Sequence, residues 1–104
     1  MTLPKERKLT IIFRVEPGCL GPNGDKMIID FCADAQIQIE SDCINWQIEP
    51  RNNKNDSEIQ FYIGSKLLPR EKAEKYLSVL GISIEHVEAQ LLENITELIE
   101  QYLN

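Results

Sequence analysis

Apolar and polar side chains alternate along four stretches in the N-terminal part of the chain. An alternation with a period of two is typical of a strand that buries one face. The four stretches are residues 9–15, 29–40, 44–49 and 59–63. The second is the longest, and its apolar positions are Ile29, Phe31, Ala33, Ala35, Ile37 and Ile39. Polar segments separate the stretches, so the pattern predicts three hairpins in series and an antiparallel meander of four strands.

Matching the apolar faces of neighbouring strands selects one register for this sheet. A slip by one residue would turn every side chain of a strand to the opposite face. The register predicts three cross-strand pairs, which are Phe13 with Phe31, Ile37 with Trp46, and Arg14 with Asp30. In a meander the first strand lies at an edge of the sheet, where its backbone is open to pairing on one side.

The C-terminal part of the chain changes to helical spacing. Pro69 suits the first turn of a helix, and apolar residues recur at helical intervals from Ala73 until Gly81, which ends it. Ser83 caps a longer helix whose apolar positions fall within one stripe. Those positions are Ile84, Val87, Leu91, Leu92, Ile95, Leu98, Ile99, Tyr102 and Leu103.

These elements predict an α+β fold of order ββββαα. Two C-terminal helices pack on one face of a four-stranded antiparallel meander sheet, because that arrangement buries every apolar face. The other face of the sheet stays polar, as antiparallel sheets commonly allow. Residues 1–104 form a single domain, in which residues 1–8 are a flexible basic arm.

Charge is distributed unevenly along the chain. The net charge is -6, and all 11 Lys and Arg residues lie at or before Lys75. Nucleic-acid binding normally needs a basic patch, so we expect no nucleic-acid partner. The basic residues near the N-terminus precede no apolar stretch, and no run is long enough to cross a membrane. We therefore expect a cytoplasmic protein that binds no membrane.

The three cysteines are Cys19, Cys32 and Cys43, and no two of them form a C-x-x-C pair. That pair is the strong form of a zinc signal, so we expect plain thiols, with neither a metal nor another cofactor. Helical phase places His86, the one histidine of the chain, on the solvent side of its helix. A nucleophile with a positioned base is not identifiable, so we expect no catalytic residues and leave enzymatic activity open.

A glycine-rich loop follows the first predicted strand. Residues 17–26 hold the loop positions that could contact a ligand, namely Gly18, Cys19, Gly21, Asn23 and Gly24. Because the loop is predicted to join two strands, it is not a nucleotide-binding motif, which leads from a strand into a helix. A strand followed by Gly18-Cys19 resembles the A-type iron–sulfur carriers over about residues 9 to 24. The resemblance implies that Cys19 is a cluster ligand, although the C-terminal C-x-C pair of that family is absent.

Two classes of function follow. The first is a non-catalytic protein-interaction or assembly module, predicted to be a homodimer. Its candidate surfaces are the polar sheet face, the edge residues Leu9, Ile11, Ile12 and Phe13, and the acidic helix with Glu93, Glu97 and Glu100. The acidic helix would suit a partner with a basic surface. Glu88 falls inside the apolar stripe and is a candidate buried polar contact. The second class is a thiol-dependent, metal-binding or iron–sulfur protein centred on Cys19.

Overall fold

The computed structural model describes residue 4, residues 7–39 and residues 43–103. The elements in this part of the chain are β1 (Leu9–Val15), a 3-10 turn (Pro17–Leu20), α1 (Gly24–Gln38), β2 (Ile44–Pro50), β3 (Ile59–Ile63), β4 (Lys66–Leu68), α2 (Arg70–Val79) and α3 (Ile84–Leu103). Glu40 of the second predicted strand and most of the predicted basic arm lie outside the described residues. The fold is α+β, with a four-stranded mixed sheet and three α-helices in the described residues.

The sheet has the order β2-β1-β3-β4. β1 and β2 are parallel, because α1 carries the chain back across the sheet between them. β3 runs antiparallel to β1 on its other side and forms a hairpin with β4. The prediction of a purely antiparallel meander is therefore wrong, and so is the prediction that β1 is an edge. The edges are β2 and β4.

The predicted strand over residues 29–40 is wrong, because residues 24–38 form the helix α1. Residues 28–39 fit the strand period of two and also the helical period, because the apolar residues on the buried side of α1 repeat at helical spacing. That buried side consists of Ile28, Phe31, Cys32, Ala35 and Ile39 at the end of the helix. An α-helix buries this set against the sheet, whereas the predicted strand would have placed Cys32 on the polar face.

The predicted cross-strand pairs that involve residues 29–40 are wrong as a consequence. Phe13 lies opposite Ile48 and Ile59, and Trp46 lies opposite Ile11. Arg14 lies opposite Glu49 rather than Asp30. An opposite-charge pair is thus present on the open sheet face, which is the face that the helices leave uncovered. Its acidic residue is Glu49 and not Asp30.

The strand patterns of β1, β2 and β3 and both C-terminal helices are confirmed. In β1 the burial alternates strictly, and Leu9, Ile11, Phe13 and Val15 face the helices. Gly81 adopts a φ of 76° after α2, a conformation that favours glycine, and ends that helix as predicted. The core side of α3 consists of Ile84, Val87, Leu91, Ile95 and Leu98. None of the described helices is long and apolar enough to cross a membrane.

Candidate interaction surfaces

The β1 residues predicted to form an interface are not available to a partner. Leu9 and Ile11 have no exposed surface, and Phe13 is 6% exposed. The β1 backbone pairs with β2 on one side and β3 on the other. Of the four predicted interface residues, only Ile12 faces away from the helices, and it is half-buried on the open sheet face. Pairing of two chains through β1 therefore has no structural basis.

The β2 edge is occupied by a side chain of α1. The Gln36 amide Nε2 donates a hydrogen bond to the Trp46 carbonyl oxygen at 2.5 Å. The Ile48 backbone N–H donates to Gln36 Oε1 at 2.8 Å. These are the backbone groups that an added strand would use, so Gln36 substitutes for a neighbouring strand. The opposite edge is protected because its strand, β4, is short, with 3 residues.

The outer side of α1 carries a second set of apolar residues. Ile29 is 72% exposed and Ile37 is 71% exposed, and exposed Ala33 lies midway between them. At a spacing of four, these residues form one row along the helix. We call this row the α1 outer face. A surface helix of a globular protein normally has one apolar stripe, which faces the core, so a second stripe needs a separate explanation.

Neighbouring elements hold α1 firmly in place. Besides the Gln36 contacts, the Tyr102 hydroxyl at the end of α3 donates a hydrogen bond to the Asp34 carboxylate. The Tyr102 ring packs edge-on against Phe31, with the ring centroids 5.2 Å apart. The hydrogen bond to Asp34 and then burial raise the pKa of Tyr102 to about 12. The α1 outer face is therefore presented on a helix that is fixed to both the sheet and α3.

The open sheet face is mostly uncharged and its polar groups are largely paired with each other. Arg14 donates hydrogen bonds to Glu49 Oε1 at 2.9 Å and to Gln60 Oε1 at 2.6 Å. Asn45 donates to the Thr10 hydroxyl at 3.3 Å. A shallow depression of about 520 Å³ is lined by Thr10, Ile12, Asn45, Gln47, Tyr62, Gly64 and Ser65. This face confirms the predicted polar side of the sheet for β1, β2 and β3.

The acidic side of α3 faces solvent. Glu93, Glu97 and Glu100 are exposed, as predicted. The Glu88 side chain is 28% exposed, and it accepts a hydrogen bond from Arg70 of α2. Glu88 of α3 thus forms a surface ion pair with Arg70 of α2, and it is not a buried polar contact.

The glycine-rich loop leads from β1 into α1 and does not join two strands, so the predicted strand-to-strand connection is wrong. Two of the glycines in this loop have local structural roles. Gly21 adopts a φ of 85°, and a Cβ on Gly24 would lie 1.7 Å from the Pro17 carbonyl oxygen. Gly18, Cys19 and Asn23 are exposed. The φ of Gly21 and the tight packing of Gly24 against Pro17 account for these two glycines, whereas nothing lies within 4 Å of a Cβ on Gly18.

The thiols show no arrangement for shared chemistry. Burial, with a smaller contribution from Glu49, raises the pKa of the Cys32 thiol to about 11, which disfavours the reactive thiolate. Cys19 is exposed, while Cys43 is half-buried. Among residues 7–39 and 43–103, no group of three or more His, Cys, Asp and Glu side chains could hold a metal ion. His86 is exposed on α3, as its helical phase predicts.

Comparison with protein-family models, curated proteins and solved structures finds no match to this chain. The α1 outer face is the feature that the strand interpretation missed, since Ile29, Ala33 and Ile37 were assigned to the core of the sheet. The signal that could have revealed this face is a pair of apolar stripes at helical spacing. One stripe is Ile28, Phe31, Cys32, Ala35 and Ile39, and the other is Ile29, Ala33 and Ile37.

Proposed function

We propose that this chain is a non-catalytic protein-interaction module and that the α1 outer face is its binding surface. The observation that carries the proposal is the exposure of Ile29 and Ile37 on a helix whose other side is already buried in the core. Exposed apolar residues that form a contiguous patch on a folded protein mark interaction sites more often than scattered ones do.

The other described surfaces are weaker candidates for a binding surface. The β2 edge is covered by Gln36, and the β4 edge is short. Arg14 and Asn45 on the open sheet face already have partners within that face. The α1 outer face instead offers apolar surface on a rigid helix, and a preorganised surface loses little conformational entropy when it binds.

The free energy gained by burying Ile29 and Ile37 indicates how large the interface must be. Burial of a side chain such as isoleucine contributes about 1.5 to 3 kcal/mol, so Ile29 and Ile37 together contribute roughly 3 to 6 kcal/mol. Association costs an estimated 4 to 15 kcal/mol in lost rigid-body freedom. The two isoleucines therefore form the centre of an interface that must also include flanking residues of α1.

Native mass spectrometry of the protein purified from its own source tests the proposal. A double variant, Ile29→Asp with Ile37→Asp, places charge on the α1 outer face without touching the core. Leu92→Asp is the matched control, because Leu92 is an apolar residue of α3 that is 52% exposed. We expect the wild type and Leu92→Asp to carry a bound protein chain that the double variant loses. Retention of that chain by the double variant would contradict the proposal.

A further inference from the structure

We infer that the partner on the α1 outer face is a basic amphipathic helix of another protein, which covers the apolar row and places lysines or arginines on the aspartates beside it. This inference rests on the proposed function and adds the chemistry of the partner. The neighbouring β2 edge is closed by Gln36, so the partner does not add to the sheet as a strand there. A helix instead packs on exposed apolar residues through its own residues at helical spacing.

Two aspartates run beside the apolar row, on the side of α1 that faces the end of α3. Asp30 lies three residues before Ala33 and Asp34 lies three residues before Ile37, so both are neighbours of the row on the helix surface. The hydrogen bond from Tyr102 to Asp34, then burial, and then the charges of Asp34 and Asp30 raise the pKa of Tyr102. Both carboxylates therefore lie near α3. We call Asp30 and Asp34 the acidic border of the α1 outer face.

The acidic border has no cation from its own chain. The ion pairs among the described residues use Arg14, Arg51 and Arg70, all of which lie outside α1. Within α1, Lys26 is the only base and three exposed aspartates oppose it, so the helix carries a net charge of -2. A lysine or arginine of the partner would supply the missing counter-charge.

The acidic surface continues from α1 onto α3. Glu97 and Gln38 line one small cleft between the end of α1 and α3, so Glu97 lies close to the C-terminal end of the apolar row. Residues 76–104 contain five glutamates and neither Lys nor Arg. This side of the molecule therefore attracts a basic partner. A second copy of the chain, with a net charge of -6, is repelled by the same surface.

A synthetic helix is the probe for this inference. It is a dye-labelled peptide of about 15 leucines and lysines, with the leucines at helical spacing, which forms roughly 22 Å of amphipathic helix. A matched peptide carries glutamate at every lysine position. Fluorescence anisotropy measures the affinity of each peptide for the wild type and for three double variants.

The three variants separate apolar contact from charge. Ile29→Asp with Ile37→Asp removes the apolar row and makes the surface more acidic. Asp30→Asn with Asp34→Asn neutralises the acidic border, and asparagine keeps an oxygen that can accept the Tyr102 hydrogen bond. Glu71→Gln with Glu74→Gln is the control, because it changes the net charge equally at exposed positions of α2.

We expect the lysine peptide to bind the wild type and the glutamate peptide to bind it at least about tenfold more weakly. Loss of the apolar row should weaken binding of the lysine peptide by more than about tenfold, although that variant is more acidic. Neutralisation of the acidic border should weaken binding several-fold, and the α2 control should bind like the wild type.

Three results with the lysine peptide would overturn the inference. These are equal or tighter binding to Ile29→Asp with Ile37→Asp, equal losses in the two neutralised variants, and no binding to the wild type. In the native mass spectrum, a bound chain that is acidic, or a second copy of this chain, would also overturn it if the double aspartate variant loses that chain. The proposed function would then still stand. Retention of the bound chain by the double aspartate variant would instead contradict the proposed function itself.

Discussion

Gln36 and Ile48 are joined across the edge of the sheet, where the Ile48 backbone N–H donates a hydrogen bond to Gln36 Oε1 at 2.8 Å. The same amide group donates from Nε2 to the Trp46 carbonyl oxygen. A helix side chain thus satisfies one donor and one acceptor of an edge strand. The contact both closes β2 to strand addition and sets the rotation of α1, which determines the side that Ile29 and Ile37 present to solvent.

Replacement of Gln36 by leucine should open this edge. Leucine keeps the helix propensity and approximate size of glutamine but bonds to neither backbone group. Loss of hydrogen bonds at a partly buried site costs about 1 to 3 kcal/mol. We expect a lower urea midpoint and faster hydrogen exchange at the Ile48 amide. Gln38→Leu, near the end of the same helix, is the control, and equal exchange at Ile48 in both variants would contradict the role of Gln36.

The loop before α1 gives a matched pair of glycine substitutions. Gly24→Ala would bring a Cβ to 1.7 Å from the Pro17 carbonyl oxygen, so the loop must move. Such overpacking typically costs about 1 to 3 kcal/mol. Nothing lies within 4 Å of a Cβ on Gly18, so Gly18→Ala should leave the stability unchanged or slightly raised. Equal urea midpoints for the two variants would show that Gly24 is not needed for this packing.

Stability at alkaline pH should depend on Tyr102. The phenol has a pKa of about 12 in the folded chain against an ordinary value of 10.0. Because folding raises this pKa, the contribution of the neutral phenol is fully present below pH 10 and is lost as the pH rises through 12. Wild type should lose stability relative to Tyr102→Phe over that window. Parallel stability curves for the two proteins between pH 9 and 12, measured by urea denaturation, would argue against the hydrogen bond to Asp34.

Replacement of Cys19 by serine separates the two classes of function. The Cys19 side chain is exposed and lies off the α1 outer face, so Cys19→Ser should leave both the fold and the binding of a partner to that face unchanged. The thiol or iron–sulfur alternative instead requires Cys19. Metal analysis of anaerobically purified protein is the direct check, because iron or zinc that is present in wild type and lost in Cys19→Ser would favour the alternative.

Much of the fold could be predicted from the sequence because most segments satisfy a single period. β1 alternates cleanly, and α3 places its apolar residues in one helical stripe. Residues 28–39 satisfy both periods, since Ile29, Phe31, Ala33, Ala35, Ile37 and Ile39 alternate while Ile28, Phe31, Cys32, Ala35 and Ile39 follow a helix. Length favoured the helix, because a typical strand has about 5 to 6 residues.

The error in this one segment explains the error in the candidate site. With residues 29–40 taken as a strand, β1 became an edge and its apolar residues became the interface. With the same residues as α1, β1 lies at the centre of the sheet and Ile29 and Ile37 lie on the surface. Local periodicity could not reveal that α1 would join two parallel strands, because the partner of β1 is determined by long-range packing.

Native mass spectrometry of Ala33→Arg beside Val79→Arg, each purified from the protein's own source, tests the proposed function most directly. Val79 is 86% exposed on α2, so both variants place an arginine at an exposed helical position. An arginine at Ala33 lies between Ile29 and Ile37 in the α1 outer face, and its burial against an apolar partner would be costly. We predict a bound protein chain on wild type and on Val79→Arg, and its loss from Ala33→Arg. A wild type without a bound chain, or equal amounts of that chain on all three proteins, would contradict the proposal.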